Sequence, residues 1–160
     1  MAIGAGDQIP DVTVTELREG GPQPVQTGDV LGKGKVVLFA VPGAFTPTCN
    51  DHHLPGFVVR VEELRAKGVD TIACISVNDA WVMGAWGQSQ NVGDNIVMLA
   101  DGNGEFTRAM GLEKDLTVIG LGSRSARYAA VIENGVVQSL VLEEGPGLKT
   151  TSAEAVLATL

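Results

Sequence analysis

The chain has two cysteines and no C-x-x-C pair. That weighs against a two-thiol disulfide oxidoreductase, and against a secreted scaffold held by a disulfide framework. Lys and Arg number 11 against 19 Asp and Glu, a formal net charge of −8. Phosphate recognition needs a basic face, so nucleic acid is not expected as a partner. No apolar run reaches transmembrane length, and Met1-Ala2-Ile3-Gly4 has neither the basic start nor the sustained apolar stretch of a signal peptide. A soluble cytoplasmic protein with no membrane partner is the expectation. Aromatic residues make up only 4% of the chain, which makes Phe45, Trp81 and Trp86 conspicuous.

What is present supports a folded core. At 160 residues and 44% hydrophobic content, one compact domain spanning 1–160 is expected. The mean hydropathy of +0.18 weighs against a disordered tail. The 21 glycines imply many tight turns and short connections.

The rest of the chain is organised around Val36 to Phe57, VVLFAVPGAFTPTCNDHHLPGF. The apolar run Val36–Val41 reads as a strand buried on both faces, ended by Pro42-Gly43. Thr46-Pro47 is a helix-start signal, with Thr as the cap and Pro at the first helical position, where no N–H is needed. Cys49 then falls in the first helical turn, where unpaired N–H groups and the helix dipole favour a thiolate. A free cysteine is often an inert buried hydrophobe. Here its polar neighbours at a strand-to-helix junction, where the carboxyl end of a buried sheet opens to ligands, favour a reactive thiol at a pocket mouth.

Further along, residues 11–17 alternate as a half-buried strand, followed by a turn at Glu19–Pro22 and a loop from Gly28 to Gly34. The helix carrying Cys49 should run to about Lys67, with Val58, Val61, Leu64 and Val59 inward and a kink or local loosening at Pro55-Gly56. Val69–Val77 is a second buried strand, parallel to the first through a βαβ crossover. Asp79 caps the next helix, Ile96–Leu99 is a short strand, and Phe106–Met110 is a short helix stopped by Gly111. Tyr128–Ile132 and Val136–Leu142 flank Asn134-Gly135, a hairpin signal, and Thr151–Glu154 reads as a capping box for a last helix. Periodicity gives an α/β class, and the order βαβ then ββα is a thioredoxin-like arrangement.

The strings PGAFTPTC (Pro42–Cys49) and HLPGF (His53–Phe57) resemble the active-site signature of the peroxiredoxins, and more narrowly the subfamily of mammalian peroxiredoxin 5 and the plant type II enzymes. The pattern P-x-x-x-T-x-x-C is met by Pro42, Thr46 and Cys49, and the resemblance extends over nearly the whole chain. It implies a thioredoxin-like fold with an N-terminal strand extension and a central mixed sheet flanked by helices. It also implies a thiol peroxidase in which Cys49 attacks hydrogen peroxide or alkyl hydroperoxides and becomes a sulfenic acid. In that reading Pro42 shields the thiolate, while Thr46 and the Cys49 N–H bind the peroxide oxygens. Arg127, the arginine before Tyr128, adds positive charge, and His53 helps to shape the substrate pocket. Arg124 and His52 are expected at the surface.

No metal or prosthetic group is required, and adjacent His52 and His53 point apart on a helix, without other ligands at zinc spacing. Cys74 reads as a buried, inert thiol, but the resemblance makes it a candidate resolving cysteine, because plant type II enzymes carry one at the same 25-residue separation. The mammalian alternative, a cysteine near the C-terminal Gly-Leu segment, is absent, since Gly145–Leu148 is followed by Lys149-Thr150-Thr151. Glutaredoxin with glutathione, or thioredoxin, is the implied reductant. A noncovalent homodimer touching through Phe45 and Trp81 is the implied assembly, although Trp81, Met83 and Trp86 also suit a core. A redox-sensing thiol-exchange protein would share Cys49 but would need neither Thr46 nor Arg127.

Overall fold

The central apolar run forms strand β3, Lys35–Ala40, in which every residue after Lys35 is buried. The computed structural model describes residues 2–145 and 147–160; Met1, and Pro146 within the Gly145–Leu148 stretch, lie outside the described residues. Strand β4, Thr71–Ser76, runs parallel to β3 with Cys74 opposite Phe39, which establishes the βαβ crossover. β5, Val97–Ala100, is parallel to β4 on its far side. On the other side of β3 lie antiparallel β8, Tyr128–Glu133, and β9, Val136–Leu142. Their turn places Asn134 and Gly135 at φ 47° and 83°, the left-handed region that a two-residue hairpin turn of this type demands at both positions.

At the N-terminus, β1 (Thr13–Arg18) pairs antiparallel with β2 (Gly21–Gln26) and with β5. Among the described residues one sheet has the order β2-β1-β5-β4-β3-β8-β9. It is a central mixed sheet of the thioredoxin-like kind, with an N-terminal extension and helices on its faces. Alternation along β3 divides the core. Val37, Phe39 and Val41, with Cys74 of β4, face α2 (Leu54–Val59), α3 (Val61–Ala66), α4 (Ala80–Ser89) and α6 (Ala153–Leu157). Val36, Leu38 and Ala40 face Leu31 and the Phe106 and Met110 side chains of α5, Glu105–Met110.

Several expectations need correction. The expected turn is confined to Glu19-Gly20 and β2 already begins at Gly21, because Pro22 and Pro24 sit on an edge strand where a missing N–H breaks no ladder. A short helix α1, Thr27–Val30, replaces the start of the expected loop. The helix after Cys49 breaks at Arg60 (φ −110°, ψ 13°) rather than at Pro55-Gly56, and Val59 is 77% exposed. The last helix is capped by Ser152, whose Oγ accepts from the Ala155 N–H at 3.1 Å. Thr151 is therefore not the cap. A polar hairpin of β6 (Glu113–Asp115) and β7 (Ser123–Ser125) had no signal in the pattern. Asp79 does cap α4, accepting from the Val82 N–H at 2.8 Å.

Candidate active site

The chain leaves β3 at Ala40 and turns through Pro42–Phe45 before helical geometry begins at Pro47. This connection is tied to the sheet at both ends. The Val41 N–H donates to Ile75 O at 3.1 Å, and the Ala44 N–H donates to Asn78 Oδ1 at 3.0 Å. Asn78 is itself held by the Ser76 hydroxyl at 2.6 Å. Gly43 is buried because its neighbours leave no room: an added Cβ would lie 3.1 Å from Thr46 Cγ2 and 3.4 Å from Arg124 Nη1. Phe45 adopts φ 64°, rare for a bulky residue, and stays 51% exposed with its ring 6.3 Å from that of Trp86.

Thr46 does not cap the helix with its side chain. Its hydroxyl donates to Gly43 O at 2.6 Å. With its hydrogen committed there, the oxygen can meet a substrate only as an acceptor. The first helical backbone bond is Asn50 N–H to Thr46 O at 2.8 Å, so the Cys49 N–H lies in the opening turn, ahead of any helical acceptor.

Cys49–His53 then forms a π-helical turn rather than an α turn. Pro55 accounts for part of this, because it has no N–H to offer the carbonyl four residues back. The wider register places Cys49 and His53 side by side, facing inward. Asn50 secures the turn from outside: its Oδ1 accepts from Trp86 Nε1 at 3.0 Å and from Gln90 Nε2 at 3.1 Å, and its carbonyl accepts from Gln90 at 3.2 Å. Trp86 and Met83 of α4 are fully buried and Trp81 is 64% exposed, so this cluster divides between core and surface.

Arg127, just before β8, meets both inward side chains. Its Nη2 donates to Cys49 Sγ at 3.0 Å and its Nη1 to His53 Nδ1 at 2.7 Å. The opposite nitrogen of His53, Nε2, lies 2.8 Å from Thr151 O. A guanidinium can only donate and a carbonyl can only accept, so His53 is neutral and carries its hydrogen on Nε2. Burial and then the Arg127 charge push its pKa down from 6.5 to about 3, against the Thr151 hydrogen bond and Glu143, which act to raise it. Phe39 stacks on Phe57 at 4.0 Å and lies 5.0 Å from the imidazole, walling this pair with carbon.

The structure thus brings together Cys49, Arg127 and His53, with Thr46 and Pro42 half-buried in the connection preceding them. Cys49 itself is fully buried, not at a pocket mouth, because Arg127 and the π-turn roof it over. Arg124 is not a surface residue: it donates to Val77 O at 3.1 Å and Leu121 O at 2.9 Å, close beside Thr46 and Gly43. His52 is exposed. Cys74 is buried in the same apolar cluster as Cys49, and both thiols are free. Burial, and then the Cys49 charge, push the Cys74 thiol up, with Arg127 opposing. Among the described residues no group of three or more His, Cys, Asp or Glu is placed to hold a metal ion.

No signal in the sequence marked Asn78, Asn50, Gln90, Thr151 and Glu143 as supports of the site. Glu143 follows β9, and its Oε1 accepts from the N–H groups of Lys149 (2.7 Å), Thr150 (3.0 Å) and Thr151 (3.3 Å) and from the Thr151 hydroxyl (3.0 Å). Burial pushes its pKa up, but these bonds outweigh that and hold the carboxyl below its ordinary value.

A thioredoxin-like sheet with a buried thiol facing a guanidinium at the end of β3 defines a thiol-based redox protein. A family model for Redoxin matches residues 4–157, and the chain belongs to that family. Within it the relatives are peroxiredoxins. Peroxiredoxin-2E-2, chloroplastic, of Oryza sativa subsp. japonica is 51% identical over 99% of this chain and 72% of its own. The solved structure of reduced Prx3 in complex with H2O2 from Vibrio vulnificus superposes with a TM-score of 0.93 at 48% identity, covering 98% of each chain. Peroxiredoxin 5 from Alvinella pompejana gives 0.85 at 39% identity, covering 98% of this chain and 97% of its own. The resemblance read from the PGAFTPTC string is thereby established, and with it a thiol peroxidase enzyme that takes a peroxide and a thiol reductant.

Proposed function

We propose that Cys49 is the peroxidatic thiol and that Pro42, Thr46, His53 and Arg127 form its substrate site for hydrogen peroxide and alkyl hydroperoxides. The observation that carries this reading is the 3.0 Å contact between Arg127 Nη2 and Cys49 Sγ, which orients the sulfur and sets a permanent positive charge beside the nucleophile. The thiolate attacks the hydroxyl oxygen of the peroxide, an S–O bond forms as the O–O bond breaks, and the other oxygen leaves as an alkoxide or hydroxide. That leaving oxygen then takes a proton from water, and Cys49 is left as sulfenic acid. Thr46 Oγ1 accepts from the peroxide O–H, which orients the attacked oxygen. The Cys49 N–H and Arg127 stabilise the charge that develops on the leaving one. The Prx3 relative solved with H2O2 supports peroxide as the ligand of such a site.

Two equivalents of thiol, from glutathione with glutaredoxin or from thioredoxin, then return the sulfenic acid to thiol and water and leave as a disulfide. Cys74 is a bystander in this proposal, because it lies mid-strand opposite Phe39 and burial pushes its thiol up, away from the reactive thiolate form. The seven-stranded sheet, which joins the N-terminal strands to β8 and β9, supports one domain, and the exposed rings of Phe45 and Trp81 support a noncovalent homodimer contact. Two free thiols fit a reducing compartment such as the cytoplasm, and among the described residues no helix is long and apolar enough to cross a membrane. Peroxide consumption by purified protein, with each donor system supplied in turn, tests the reading. Catalytic turnover that Cys49→Ser abolishes is expected; stoichiometric oxidation with no turnover by any donor would instead favour the redox-sensing exchanger.

A further inference from the structure

We infer that Glu143 is a positioning residue for the peroxidatic site, acting on Arg127 through Thr151 and His53. The inference rests on the assignment of Cys49 and Arg127 above and extends it to a residue whose side chain touches neither the thiol nor the side chains of the substrate site. The contacts form one continuous chain. Glu143 Oε1 gathers three consecutive N–H groups and one hydroxyl from Lys149–Thr151. This fixes the Thr151 carbonyl, which accepts from His53 Nε2 at 2.8 Å. That bond sets the hydrogen on Nε2 and leaves Nδ1 bare to receive Arg127 Nη1 at 2.7 Å, with Arg127 Nη2 on the sulfur at 3.0 Å.

Two further features tie Glu143 to this chain. Its own N–H donates to Arg127 O at 2.9 Å, so one residue holds the backbone of the arginine and, through the loop, the partner of its side chain. His53 is fully buried, so no water can replace the Thr151 carbonyl if the loop moves away. An unanchored imidazole could then take the other tautomer, with a hydrogen on Nδ1 facing the guanidinium, and Arg127 would lose its brace. Outer partners that fix a histidine tautomer are worth about 10-fold or more in activity where this has been measured at metal sites.

The test uses the full-length protein, the variants Glu143→Ala and Glu143→Gln, and two readouts. One is the rate constant for oxidation of the reduced protein by hydrogen peroxide. The other is the 15N spectrum of the imidazoles, which is simple because the chain has two histidines. Wild type should show one histidine locked as the Nε2–H tautomer. Glu143→Ala should lose that lock and react about 10-fold more slowly. Glu143→Gln, whose amide oxygen meets the same donors without the negative charge that strengthens those bonds, should fall between them. Because the effect passes through His53, Glu143→Ala combined with His53→Ala should be no slower than His53→Ala alone. Wild-type rate and tautomer in either folded variant overturns the inference, as does full additivity with His53→Ala. If the alanine variant does not fold, the glutamine variant decides alone. Failure of the Cys49 assignment is separately visible, because Cys49→Ser would then keep its turnover.

Discussion

Replacing His53 by glutamine should flatten the response of stability to acid. His53 is fully buried, and its pKa falls from 6.5 in the unfolded chain to about 3 in the fold. Between those values the unfolded chain binds a proton that the native state refuses, so stability is complete above about pH 6.5 and declines as pH drops towards 3. With those two values, lowering the pH from about 7 to about 5 removes about 2 kcal/mol. Glu143, held below its ordinary value, stays ionised over that interval, and the comparison with the variant cancels what the two proteins share. Glutamine has no proton to gain and can donate to Thr151 O while accepting from Arg127. Urea unfolding of both proteins at the two pH values, with the reduced form in each case, measures the difference. The wild type should lose about 2 kcal/mol more than His53→Gln. Parallel losses would mean that the imidazole is hydrated or protonated in the native state, and the neutral brace for Arg127 would be wrong.

Two further outcomes follow from the site geometry. Thr46→Val removes both the acceptor for the peroxide O–H and the bond to Gly43 O, and should slow peroxide oxidation about 100-fold, with Thr46→Ser restoring most of it; a valine variant at wild-type speed would remove Thr46 from the substrate site. Cys74→Ala should keep most turnover with glutathione and glutaredoxin and lose about 1 kcal/mol of stability from the small void in the core. Loss of turnover in that variant, with a quantitative Cys49–Cys74 disulfide in the wild type after peroxide, would make Cys74 the resolving residue.

What could be read from the sequence was what local pattern encodes. The run Val36–Val41 announced a buried strand, Asn134-Gly135 a hairpin, and Asp79 a cap, each through a pattern confined to a few residues. The Cys49 region was legible through its motif, and Arg127 through resemblance. The supports were hidden because their partners are remote: His53 meets Thr151 across 98 positions, Arg124 meets Val77 across 47, and Asn50 meets Gln90 across 40. No periodicity marks such a bond. Polar neighbours around Cys49 also misled about exposure, since the π-turn sends His52 outward while rotating Cys49 and His53 beneath Arg127. The strand β2 was obscured by prolines that only an edge position tolerates. The β6–β7 hairpin was missed because it has no buried apolar face to create alternation: its buried residue is Ser125, and Val118 and Ile119 between its strands are 97% and 67% exposed.

The central claim is that Cys49, braced by Arg127, is the atom that peroxide oxidises. The most direct measurement is mass spectrometry of reduced protein after one equivalent of hydrogen peroxide, with a sulfenic-acid trap present and with Cys49→Ser alongside. Wild type should carry the trap on the Cys49 peptide alone, and Cys49→Ser should carry none. Trap on Cys74, or equal oxidation of both proteins, would contradict the account.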